Sequence, residues 1–109
     1  MTWRIVRHPL VGTDVLKMAS HIAEHSGSED AAECRIIEVE ATIAAIANNP
    51  LSGTRLDGKL TGFLRRQSRR DQQITVVFRP DPARKIVYIH LVAFGGQNWE
   101  NDARTPSVP

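Results

Sequence analysis

Five side chains in the second half of the chain suit work on a phosphate: Arg65, Arg66 and Arg79, followed by Tyr88 and His90. Metal-free RNA cleavage needs a 2′-hydroxyl activated, a phosphorane stabilised and a leaving oxygen protonated. Guanidinium groups do the second of these, and tyrosine or histidine serve the others. Arg65, Arg66, Arg69, Arg70 and Arg79 fall on adjacent strand candidates, where together they make a phosphate-binding surface. Side chains alternate along a strand, so Arg65 and Arg69 lie on a different face from Arg66 and Arg70. Tyr88 and His90 share one face of an apolar strand. A histidine or tyrosine in such a strand is more often a packed core residue, and both readings stay open.

Other chemistries find less support. His21 and His25 stand four residues apart, a metal-ligand spacing on one helical face, but the sequence offers them no third ligand. A solvated helix face is the plainer reading. The single cysteine, Cys34, excludes an intrachain disulfide and an all-cysteine metal site, and it fits a reducing compartment. No glycine-rich phosphate loop follows a strand. No metal and no cofactor are expected.

The chain has 109 residues, within the usual range of one domain, with 41% hydrophobic and 24% charged residues, as in ordinary globular proteins. It opens Met1-Thr2-Trp3-Arg4-Ile5-Val6-Arg7, without the apolar run of a signal peptide, and has no segment long enough to span a bilayer. A cytoplasmic location and no membrane partner are the expectation. The formal charge of +2 hides an asymmetry. From Asp14 to Glu40 seven acids face Lys17 and Arg35, a net of −5, whereas from Arg55 to Lys85 nine bases face Asp57, Asp71 and Asp81, a net of +6. A basic surface from the second half suits an anionic partner; a solvated mixed-charge surface is the alternative.

These arginines must be held by the elements around them. Trp3 to Arg7 reads as a short first strand. Val11, Val15, Met18 and Ile22 recur at helical spacing, which predicts a helix over residues 9–25 with Pro9 in its first turn. Ser26-Gly27-Ser28 closes it and caps the next, whose first turn carries Glu29 and Asp30. Ala32, Ile36, Val39, Ile43 and Ile46 stripe that second helix until Asn48-Asn49-Pro50 ends it. Residues 51–62, punctuated by Gly53, Gly58 and Gly62, read as a loop. The period then switches to two: an arginine-rich strand over Phe63–Arg70, another over Ile74–Arg79, a proline turn, and a nearly continuous apolar strand from Ile86 to Phe94. The expected class is α+β in the order β-α-α-β-β-β, a helical hairpin packed on a small antiparallel sheet. Residues 1–99 form one domain and 100–109, which lack a pattern, a flexible tail.

Several phrases in this order resemble the RelE/ParE toxin superfamily, known also from plasmid-stabilisation systems. They are the strand before Pro9, Asp14-Val15 through Ile22-Ala23, Ala31-Ala32, and Ile43 to Pro50 followed by Gly53-Thr54-Arg55. Leu64-Arg65-Arg66, Ile74 to Phe78, and Ile86 to Phe94 with Gly95-Gly96-Gln97-Asn98-Trp99 complete the series, so the resemblance spans roughly residues 3–99. It implies the toxin of a type II toxin–antitoxin pair, with a cognate antitoxin as partner and DNA gyrase or the ribosome and its messenger RNA as target.

The closing segment carries no tyrosine or histidine of the kind the ribonuclease branch uses, which places the resemblance nearer ParE. That branch acts by binding, and the surface implied is Arg65, Arg66, Arg69, Arg70 and Trp99, tryptophan being enriched among binding hot spots. Trp99 folded back on the core is the alternative. Whether the chain is an enzyme stays open: a metal-independent messenger endoribonuclease using Arg65, Arg66, Arg79, Tyr88 or His90 is the second reading. A basic sheet that merely holds nucleic acid, without toxicity, is the third. With 6% aromatic residues it has little stacking surface for that role. Gln97-Asn98 stand where family toxins commonly carry a basic residue.

Overall fold

The computed structural model describes residues 2–95, together with Trp99 and Arg104. The elements are β1 (Arg4–Arg7), α1 (Val11–Ser26), α2 (Glu29–Asn48), β2 (Thr54–Arg55), a single 3-10 turn (Gly58–Leu60), β3 (Leu64–Gln67), β4 (Ile74–Asp81) and β5 (Ile86–Phe94). Two helices thus pack on a five-stranded sheet of order β1-β5-β4-β3-β2, an α+β fold. No described helix is long and apolar enough to cross a membrane.

The helical hairpin forms where the apolar stripes place it. α1 starts at Val11, two residues later than its pattern suggests, because Pro9 and Leu10 make the preceding turn, where the Leu10 N–H donates to His8 Nδ1 at 3.1 Å. Gly27 closes α1 in the left-handed region, φ 68°, with its N–H on the Ala23 carbonyl. One residue on, Ser28 Oγ accepts from the Ala31 N–H at 3.1 Å and starts α2.

The sheet departs from the expected antiparallel one in two ways. β2 through β5 form an antiparallel meander, but β1 lies parallel to β5, Arg4 opposite Ile86 and Arg7 opposite Ile89, so the sheet is mixed. The segment expected as a plain loop supplies β2 and the 3-10 turn. The arginine strand is also shorter than expected: β3 ends at Gln67, and Arg69 and Arg70 belong to the turn into β4.

β5 carries the detail that explains its apolar run. Val77 pairs with Leu91 but Phe78 with Ile89, leaving His90 as an extra residue in a β-bulge. The bulge shifts the alternation by one. Val87 and Ile89 face the helices before it, and Val92 and Phe94 after it, where they meet Ile74, Val76, Phe78, Met18, Val39 and Ile46 in the main core. Leu91 and Ala93 turn to the other face of the sheet, where with Val77 they form a small second core. Leu56, Phe63 and Trp99, themselves half-buried, pack against that second core. This face is open only in the sense that no helix of the hairpin lies over it; its residues Thr75, Val77, Leu91 and Ala93 are buried, whereas Arg79 is exposed.

Candidate target-binding surface

The described arginines divide into those spent on the fold and those that are not. Arg66 alternates with Arg65 on β3 and turns to the helix side, where it donates to Ser52 Oγ at 2.7 Å and to the Ala45 carbonyl at 3.4 Å. It helps hold the end of α2, whose last carbonyls have no partner within the helix. Arg70 reaches Glu38 at 3.1 Å, and Arg35 bridges Glu38 at 3.1 Å and Asp71 at 2.6 Å, so one ionic network ties α2 to the β3–β4 turn. The hydrogen bond from Arg35, reinforced by the Gln73 N–H and the nearby charge of Arg70, holds the Asp71 carboxyl down to about 2. Arg35 also lies 5.2 Å from the centre of the Phe94 ring. Arg7 pairs with Glu40 at 2.7 Å, and that hydrogen bond lowers the Glu40 pKa.

Arg65 is arranged differently. It stands opposite Val77 on the open face and beside Thr54 of β2, and no carboxylate among the described residues pairs with it. The cleft in front of it has a volume of ≈ 540 Å³ and runs from Arg55, Leu56 and Asp57 past Arg65 and Thr75 to Trp99. Asp57 is the sole acid among the described residues of its wall. Arg79, two residues beyond Val77, shares this face, and its guanidinium sits 4.7 Å over the ring of its cross-strand neighbour Tyr88. Diagonal neighbours on paired strands lie about 7–8 Å apart, so Arg65 and Arg79 can bracket one phosphate or two successive ones.

The backbone around Arg65 is fixed by Gly53, whose φ of 137° side chains rarely adopt. A Cβ there would come within 2.7 Å of the Arg65 carbonyl oxygen and 3.3 Å of the Phe78 ring. Only glycine lets the chain approach β3 this closely and start β2 beside Arg65.

The structure therefore sorts the residues singled out from the sequence. Arg65, Arg79 and Tyr88 come together on the open face, with Trp99 at one end of it. His90 lies near them, but its ring packs 4.9 Å from Phe63 and 5.9 Å from His8, within a cluster of rings. Arg66 is on the opposite side, Arg70 is committed to Glu38, and Arg69 is exposed at the turn. His21 and His25 stack at 4.0 Å on α1, with His25 Nδ1 at 2.8 Å from the His21 carbonyl oxygen. Gly96, Gln97 and Asn98 of the closing motif lie outside the described residues, as does the expected tail apart from Arg104. Arg55, Gln67 and Thr75 of the cleft were not singled out as site residues. The Gly53-Thr54-Arg55 phrase was the signal for Arg55, whereas nothing local marks Thr75 in its apolar strand.

No protein-family model and no curated protein matches this chain. Solved structures do. A chain of the toxin–antitoxin complex RelBE2 from Mycobacterium tuberculosis superposes with a TM-score of 0.59 at 19% identity, over 86% of this chain and 99% of that one. A mutant of the Escherichia coli toxin RelE in its free state gives a TM-score of 0.56 at 12% identity, over 86% and 84% of the two chains. At these identities the shared property is the fold: two helices on one face of a five-stranded mixed sheet, as in RelE-type structures.

Proposed function

We propose that this protein is the toxin of a type II toxin–antitoxin pair, nearer ParE in action, which arrests growth by binding DNA gyrase through the open sheet face and is neutralised by a cognate antitoxin. The fold it shares with RelE, and with a chain of a complex that pairs such a toxin with an antitoxin, supports the toxin reading. One observation carries the choice of surface. Arg65 stands in an open cleft without a carboxylate partner among the described residues, while Arg66 and Arg70 are held in structural contacts. A binding surface asks for no acid–base pair, and the described wall of this cleft holds no histidine, tyrosine or glutamate. Trp99 is half-buried against the second core, the alternative weighed for it, and closes one end of the cleft.

The Arg79–Tyr88 pair favours a second reading, a ribosome-dependent messenger endoribonuclease. There Arg65 and Arg79 would stabilise the phosphorane while the Tyr88 hydroxyl, beside a fixed positive charge, exchanges the proton. Induced expression, with gyrase-dependent DNA breaks and messenger cuts followed in one culture, separates the two. Breaks support gyrase binding, and codon-linked cuts support the ribonuclease.

A further inference from the structure

We infer that His21 and His25, near the C-terminal end of α1, form a two-histidine site for a late first-row divalent metal ion: Cu²⁺, Ni²⁺ or Zn²⁺. Their spacing alone is met equally by a solvated helix face. The structure adds a fixed tautomer. His25 Nδ1 lies 2.8 Å from the His21 carbonyl oxygen, which can only accept, so this nitrogen carries the hydrogen. In the neutral ring the free lone pair is then on Nε2, where a metal can take it. Metal-binding histidines are oriented in this way, by a carbonyl or carboxylate that accepts from the other ring nitrogen. The two rings stand 4.0 Å apart, centre to centre, and are inclined by 35°. Two imidazole nitrogens bound to one ion at about 2.0–2.1 Å are themselves about 3 Å apart. Small rotations of two exposed side chains reach that separation.

The surroundings favour a cation. His25 lies in the last turn of α1, where the helix dipole stabilises positive charge. From residue 24 to residue 33 the chain carries Glu24, Glu29, Asp30 and Glu33 and no lysine or arginine; Lys17, one turn before His21, is the nearest such base along α1. No carboxylate among the described residues pairs with either imidazole, so neither must be released before a metal binds. No third histidine, cysteine or carboxylate joins them among the described residues, so water completes the coordination shell. A pair of imidazoles selects these ions over Mg²⁺, which takes oxygen ligands, and Cu²⁺ over Ni²⁺ and Zn²⁺. The bound ion bridges successive turns of α1 and stiffens the end of the helical hairpin. α1 packs on the face of the sheet away from the Arg65 cleft, so an occupied site leaves that cleft unaltered.

The test uses the whole untagged chain and NiCl₂, with thermal melts as the reading. Ni²⁺ at about ten times its dissociation constant should favour the folded state about tenfold, a rise of about 5 °C in the midpoint. His21→Ala and His25→Ala, both at exposed positions, should fold normally and each lose that rise. The pair Ser20→His with His21→Ala keeps two histidines but sets them five residues apart, off a common face, and should lose it too. MgCl₂ should leave the midpoint where it is. In the metal-free protein, imidazole nitrogen NMR should show His25 protonated at Nδ1, with Zn²⁺ moving the Nε2 signal, a reading that needs no variant. Absence of a Ni²⁺ shift, an equal shift in His25→Ala or in the Ser20→His, His21→Ala pair, or a His25 protonated at Nε2 overturns the inference. Growth is not read, so this result and the test of the proposed toxin activity stand or fall separately.

Discussion

Arg104 meets Asp14 across 90 positions of sequence in a bidentate pair, 2.7 Å on each arm, with side chains only 8% and 12% exposed. The pair does more than cancel two charges. Ladder pairing between β1 and β5 ends at Ile89, and the next backbone groups on that edge go to these side chains. The Val92 N–H donates to Asp14 Oδ2 at 3.0 Å, and Arg104 donates to the His90 carbonyl at 3.2 Å. Two side chains thus stand in for the missing length of β1, beside the bulge.

Removing either partner leaves a buried charge and opens this edge. Arg104→Ala and Asp14→Ala are each expected to destabilise the fold by about 3 kcal/mol, measured by urea unfolding. The double variant should cost clearly less than the sum of the two, because the partners act as a unit. Additive losses would show that the pair is not coupled.

Arg65 and Arg66, neighbours in sequence, should separate cleanly when replaced. Arg65→Ala is expected to keep the wild-type thermal midpoint while abolishing growth arrest. Arg66→Ala loses the bonds to Ser52 and the Ala45 carbonyl and should cost about 1–2 kcal/mol of stability. Thermal melts beside growth curves decide this; a stability loss in Arg65→Ala equal to that of Arg66→Ala would contradict the division of labour.

Gly53→Ala tests the close approach of β2 to β3. Its Cβ would strike the Arg65 carbonyl oxygen at 2.7 Å from a backbone with φ 137°. A cost of about 1–3 kcal/mol from strain is expected, read from the denaturation midpoint. Gly12, which meets nothing within 4 Å on α1, is the control: alanine there should stabilise by a few tenths to about 1 kcal/mol.

The ionic network makes a prediction about acid. Asp71 is held down from 3.8 to about 2 by the Arg35 hydrogen bond, so folding favours its charged form. Its contribution is complete above the ordinary value and lost as pH falls toward the depressed one. Glu40, lowered by Arg7, acts in the same direction. Urea midpoints should therefore drop between about pH 4 and 2, and Asp71→Asn should flatten that drop. An unchanged acid limb in Asp71→Asn would show that the Arg35 contact does not favour the ionised carboxyl.

What could be read from sequence was what local pattern encodes. The stripe Ala32, Ile36, Val39, Ile43 and Ile46 gave α2, the Ser26-Gly27-Ser28 break gave both helix ends, and alternation gave β4. The parallel pairing of β1 with β5 was not legible, because Arg4 meets Ile86 only through tertiary contacts. Nor was the bulge: an apolar run reads as a strand covered on both faces whether or not His90 interrupts its register. For the site, alternation separated Arg65 from Arg66 but could not say which side the helices would cover. Arg69 and Arg70 were placed on a strand that ends before them, since Ser68 turns the chain when its N–H and Oγ bond Ile74.

The most direct measurement is induced expression of the wild-type chain and of Arg65→Ala, with growth, gyrase-dependent DNA breaks and messenger cuts followed together. Arrest with DNA breaks is expected for the wild type, and neither for soluble, folded Arg65→Ala. Equal arrest by both proteins, or no arrest by soluble wild type, would contradict the claim that the open face of the sheet is the working surface of a toxin.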